Sequence, residues 1–118
     1  MSSSALQNDL EAFLGHLQRE RQLSPRTLQA YRHDLEGLRD FLDSQDCGRW
    51  QDVDQSRLRL FVAKRHQGGL SGRSLQRLLS AVRSFYQFLI RERLCRHNPA
   101  VDLRAPRSPR KLPRALDA

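Results

Sequence analysis

The sequence is poor in the residues that staple small folds or build reactive sites. Its 118 positions hold two cysteines, one tryptophan, one methionine and two lysines. Cys47 and Cys95 have no partner ligands at metal-like spacing, which excludes a disulfide framework and a zinc site and leaves two reduced cytosolic thiols. No apolar run approaches the roughly 18 residues that span a bilayer, and residues 1–25 carry neither a basic leader segment nor a compact apolar stretch. Neither membrane insertion nor secretion is expected, and the expected location is cytoplasmic. No stretch alternates with period two for long enough to make a strand, so the class is all-α. Gly68, Gly69 and Gly72 are too few and wrongly spaced for a phosphate-cradling loop and read as a turn. With no carboxylate pair and no Cys/His couple, a complete small enzyme is poorly supported, and no cofactor or metal is expected.

What the chain does have is a core and a charge. At 38% hydrophobic and 29% charged residues it fits one folded domain. The net charge of +8 is unevenly spread: residues 1–54 hold 6 basic and 10 acidic side chains, whereas residues 55–116 hold 15 basic and 2 acidic ones. Nearly all the cations are arginines, whose planar fork suits phosphate and guanine edges better than an ammonium does. A nucleic acid is the economical partner for the second half.

Four helices are expected. Leu6, Leu10, Phe13, Leu14 and Leu17 recur at helical spacing over residues 5–21. Ser24-Pro25 is a strong start for a second helix reaching Asp43, with Leu28, Tyr31, Leu35, Leu38 and Leu42 as its buried seam. Trp50 and Val53 plug the core from the connection, and Asp54 caps a short third helix that Gly68-Gly69 ends. Ser71 opens a fourth helix of about twenty residues, roughly 30 Å long. After Asn98-Pro99 the texture changes to prolines and arginines, which divides the chain into a helical domain at 1–100 and a basic linker at 101–118. A linker with nothing after it reads as one domain of a longer protein.

The fourth helix separates two faces. Leu75, Leu78, Leu79, Val82, Phe85, Tyr86, Leu89 and Ile90 share an apolar sector, with Phe88 just outside it as either an exposed interface residue or a second core contact. The opposite line carries Arg73, Arg77, Ser80, Ser84, Gln87 and Arg91 and no carboxylate, whereas an ordinary solvated face mixes signs. Small serines between arginines let a helix approach the floor of a major groove roughly 12 Å wide. With Ser71 at its start, this helix is one candidate DNA-reading element. The other is the beginning of the second helix, where Ser24, Arg26 and Thr27 meet the positive end of the macrodipole and Gln29 and His33 follow on the outer side. Asp34, Glu36 and Asp40 further along confine any contact to its first turns.

The segment Leu23-Ser24-Pro25-Arg26-Thr27-Leu28-Gln29-Ala30-Tyr31-Arg32-His33-Asp34-Leu35, the run Ser74 to Leu89, Asn98-Pro99-Ala100 and Leu112-Pro113 together resemble the N-terminal core-binding domain of tyrosine recombinases, and most closely the Xer recombinases of bacteria. Phage-type integrases share the domain. The resemblance implies a four-helix, SAM-like fold whose second and fourth helices cross in the major groove of double-stranded DNA. It also implies a catalytic domain elsewhere in the parent enzyme, which cuts DNA with a tyrosine nucleophile through a 3′-phosphotyrosyl link. By the same resemblance the parent resolves chromosome dimers during cell division, together with a second, XerD-like recombinase in a heterotetramer and a DNA translocase of the FtsK type. His16-Leu17-Gln18-Arg19 spells a pattern from that catalytic domain, but Leu17 lies in a core seam and the match is coincidental. Tyr31 and Tyr86 read as core aromatics, so no catalytic residue is assigned to this chain. The acidic first helix is the candidate for contact between subunits. The competing reading is a helical interaction module whose basic face binds an acidic protein.

Overall fold

The computed structural model describes residues 3–106. Four helices account for most of them: α1 (Ser3–His16), α2 (Pro25–Ser44), α3 (Gln55–Gln67) and α4 (Gly72–Arg91). No strand occurs among the described residues. The all-α, four-helix expectation holds, with three helix starts where the sequence placed them. Ser24 accepts the Thr27 N–H at 3.2 Å, Asp54 accepts that of Arg57 at 2.8 Å, and Ser71 accepts that of Ser74 at 3.1 Å. Each cap satisfies one of the donors that a helix N-terminus leaves free.

The ends are equally local. Helices α2, α3 and α4 close in the same way, with a residue in the left-handed region whose successor donates back five residues: Cys47 to Leu42, Leu70 to Arg65 and Leu94 to Leu89. The left-handed positions are Asp46, Gly69 and Arg93, with φ of 56°, 98° and 65°. Only the second is a glycine, so the other two carry the steric cost of a Cβ. The first helix departs from expectation: its regular turns stop at His16, and Leu17–Arg21 form one wider π-helical turn ending at Gln22, φ 51°.

Helix α4 is the centre of the molecule. Leu75, Leu78, Leu79, Val82, Phe85, Tyr86 and Leu89 are all buried, as are Leu35, Leu38 and Leu42 of α2. Each such leucine contributes roughly 1.5–3 kcal/mol by leaving water. Leu28 and Tyr31, expected in the same seam, are only partly buried against the core. Trp50 plugs the core as expected, and its position is fixed at both ends. Its indole N–H donates to the Leu6 carbonyl at 3.0 Å, and its own carbonyl accepts the Tyr86 hydroxyl at 2.6 Å. Its ring stands edge-on to Phe85 at 4.7 Å. Burial raises the Tyr86 hydroxyl far above the usual phenol range, which suits a neutral hydrogen-bond donor and not a nucleophile.

At the end of α4 the structure decides one open position and corrects another. Phe88 is the core contact of its two alternatives, 7% exposed, with Phe13 at 5.5 Å and the His16 ring at 5.2 Å. Ile90, expected in the core, is 38% exposed. Helix α1 packs over the C-terminal half of α4, covering position 88 and leaving 90 outside. His16 is thereby a packing residue at this seam, also 3.0 Å from Arg91.

The chain after α4 remains attached to it. Arg83 donates through Nε to the Ala100 carbonyl at 3.0 Å and through Nη2 to that of Leu103, while the Asn98 amide donates to the Arg83 carbonyl at 3.3 Å. Ala100 and Leu103 are buried and Ala105 packs against the core. The basic segment at 107–118 lies outside the described residues.

Candidate nucleic-acid interface

Where the first turns of α2 face α4, an open depression is lined by Pro25, Arg26, Gln29, Ala30, His33 and Arg77. The structure therefore gathers four of the expected contact residues in one place, three from α2 and one from α4. Ala30 and Pro25 keep its floor low, and the lining includes no carboxylate. Arg26, Gln29 and His33 are exposed, and Arg26 has no ion-pair partner among the described residues.

Ser24 and Thr27 border the depression as a cap. The serine hydroxyl accepts the Thr27 N–H and lies 3.0 Å from the threonine hydroxyl, so both side chains are engaged in starting the helix. Ser71 is engaged in the same way at α4. Along α4, Arg73, Ser80, Gln87 and Arg91 are exposed on one line and Ser84 is half-buried on it. They extend the surface beyond the depression without lining it.

Arg77 differs from the free cation that the helical wheel suggested. Its Nε donates to Asp34 Oδ2 at 2.8 Å and its Nη2 to Oδ1 at 2.7 Å. The Asp34 side chain is 3% exposed and the Arg77 side chain 36%. The hydrogen bonds that Arg77 donates to Asp34 raise its pKa further, so the cation is permanent. Asp34, grouped from sequence with Glu36 and Asp40 as an acid that confines contact to the first turns of α2, is instead buried beneath Arg77. Its spacing carried a usable signal, since it lies three residues after Tyr31 and four before Leu38, on the seam that packs against α4. Glu36 instead faces Arg32, which also holds Glu11 of α1 at 2.7 and 3.0 Å. That pairing lowers the Glu11 pKa and spends part of the acidic half on binding α1 to α2.

Helices α2 and α4 thus meet over a buried leucine core, with a depression beside their contact whose lining holds no carboxylate. Residues 10–93 match the family described as phage integrase, N-terminal SAM-like domain. The chain belongs to that family. Curated relatives of this SAM-like domain include tyrosine recombinase XerC of Pseudomonas aeruginosa strain LESB58, 54% identical over 110 residues, which are 93% of this chain and 36% of the relative. XerC of Pseudomonas fluorescens strain Pf-5 is 50% identical over 112 residues, covering 95% of this chain and 38% of the relative. XerC of Azotobacter vinelandii is 49% identical over 113 residues, with 96% and 38% covered. The chain spans little more than a third of the length of these relatives. No solved structure matches it. Among the described residues of the SAM-like domain, no group of His, Cys, Asp or Glu side chains could hold a metal ion, and no helix is long and apolar enough to cross a membrane.

Proposed function

We propose that this domain is the DNA-binding N-terminal part of a XerC-type tyrosine recombinase, gripping one side of a duplex at a chromosomal resolution site. The observation that carries this is the carboxylate-free surface formed by Arg26, Gln29, His33 and Arg77, continued along α4 by Arg73, Ser80, Ser84 and Gln87. Its nearest carboxylate, Asp34, is buried beneath an arginine and repels nothing. A polyanion arriving there meets guanidinium groups, amides, hydroxyls and the positive ends of two capped helices. Trp50 and the Pro109-to-Pro113 segment add a XerC-like sequence character. Strand cleavage belongs to the catalytic domain of the parent enzyme, which acts in the cytoplasm with a XerD-like partner and an FtsK-type translocase to turn chromosome dimers into monomers. This domain supplies grip and register.

The test is fluorescence anisotropy of the purified chain against a labelled duplex carrying a bacterial resolution site and against a scrambled duplex of equal length. The expected result is a preference for the site, with affinity falling by orders of magnitude between about 50 and 200 mM salt. Equal affinity for both duplexes at every salt concentration overturns the site-specific reading, and saturable binding to an acidic protein without binding to duplex favours an interaction module.

A further inference from the structure

Among the described residues, the Asp34–Arg77 pair is where the candidate interface holds a buried carboxylate, and its geometry restricts what Arg77 can offer. A guanidinium has two donor edges: the side edge of Nε and Nη2, and the end edge shared by Nη1 and the outer hydrogen of Nη2. Asp34 occupies the side edge completely, with both carboxylate oxygens at 2.7–2.8 Å. Nη1 has no partner among the described residues, and the guanidinium lines the depression beside Ala30 and Gln29. Asp34 has nowhere else to turn, since its carboxylate is sealed between α2 and α4. Two consequences follow. The end edge is held at a fixed orientation, and the pair as a whole carries no net charge.

We infer that Asp34 is a positioning residue that makes Arg77 a reader of guanine and not a phosphate clamp. Two parallel N–H donors on a rigid edge match the N7 and O6 acceptors that guanine presents in the major groove. A phosphate contact gains its affinity by releasing counterions from DNA in exchange for a free cation, and Arg77 is already neutralised from behind. Arg26 and Arg73, which are exposed and unpaired among the described residues, are the groups placed for phosphate. The surface is thus divided into free cations that set affinity and one buttressed arginine that sets sequence. This rests on the DNA-binding reading above.

The experiment is selection from a randomised duplex library with the wild-type chain, Asp34→Asn, and the double variant Asp34→Asn/Arg77→Gln, followed by salt titration on the selected duplex. The double variant removes both charges together, so it leaves no buried ion unpaired, and circular dichroism melting confirms the fold of each protein. Wild type is expected to select a guanine at one position. In the double variant that preference drops by about 5- to 150-fold, the other positions keep theirs, and the slope of log affinity against log salt stays at its wild-type value. Asp34→Asn alone frees the Arg77 charge, which blurs the same position and steepens the slope by up to about 0.9. A double variant whose slope falls by about 0.9 with every preference intact makes Arg77 a phosphate contact and overturns the inference. An Asp34→Asn protein with wild-type preference and slope overturns the positioning role. A wild-type protein that binds duplex yet selects no sequence removes the inference and leaves plain DNA binding standing, whereas no binding to duplex removes the functional reading as well.

Discussion

Replacing Tyr86 by phenylalanine deletes one oxygen from the centre of the molecule and tests how the core is pinned. The hydroxyl donates to the Trp50 carbonyl at 2.6 Å in a fully buried setting. A neutral hydrogen bond of this kind contributes about 0.5–1.5 kcal/mol net, and a buried acceptor left with no partner costs about 1–3 kcal/mol. The Trp50 carbonyl is not left alone, because the Val53 N–H also donates to it at 3.2 Å. The ring itself stays, so no cavity beyond one oxygen opens. Tyr86→Phe should therefore cost about 1–1.5 kcal/mol, which lowers the melting temperature by roughly 4–12 °C in a domain of this size. The assay is urea unfolding followed by the fluorescence of Trp50, the chain's one tryptophan, which is 1% exposed when folded. DNA affinity should be unchanged, since Tyr86 lies on the face of α4 opposite the arginine stripe. A destabilisation under about 0.3 kcal/mol would refute the hydrogen bond as a contributor, and one above about 3 kcal/mol would refute the role given to Val53 as a second donor.

Arg26→Ala should flatten the salt dependence of duplex binding by about 0.9 in log–log slope, as expected for one lost phosphate contact, and an unchanged slope removes the start of α2 from the interface. Asp46→Gly relieves a Cβ at φ 56° and should raise stability by about 0.5–1 kcal/mol in thermal melts, with a loss refuting the strain at that turn. The Glu11–Arg32 pair lowers the folded-state pKa of Glu11, so its stabilisation is present above the ordinary glutamate range and is lost as pH falls through the lowered value. Glu11→Gln should accordingly be less stable than wild type near neutral pH in low salt, by under about 1 kcal/mol for so exposed a pair, with the difference vanishing in acid; an undiminished difference at low pH assigns it to packing. Burial pushes the Cys95 thiol up to about 11, so Cys95 of the folded chain should resist aromatic disulfide reagents at pH 8 and react only in denaturant.

The helices were legible because their signals are local. Ser24, Asp54 and Ser71 cap through hydrogen bonds three residues long, and a sequence displays such spacings directly. The wheel of α4 also separated core from surface, because the helix is buried along one side for its full length. Errors arose where two elements meet. Ile90 leaves its expected core environment, and Phe88 takes the core contact of its two alternatives, according to where α1 lies, and no periodicity within α4 contains that information. The wide turn at Leu17–Arg21 is likewise absent from the apolar spacing, which runs on through Leu17 as if the helix were regular. At the candidate interface, the exposed positions Arg26, Gln29 and His33 could be named from one helix alone. The partnership of Asp34 with Arg77 spans 43 positions, and only the packing of α2 on α4 reveals that one of the arginines on the stripe is already spoken for.

The fastening of residues 98–105 to Arg83 has a mechanical consequence. Arg83 sits at the midpoint of α4, immediately before Ser84 of the stripe, and it grips the departing chain at two carbonyls. Whatever pulls or twists the polypeptide beyond Pro106 therefore does not tug at a frayed helix end. The load enters α4 near its middle, beside Ser84, where the helix is packed on the core behind it. A pull on the chain there is borne by hydrogen bonds at mid-helix before it reaches the last turn at Arg91.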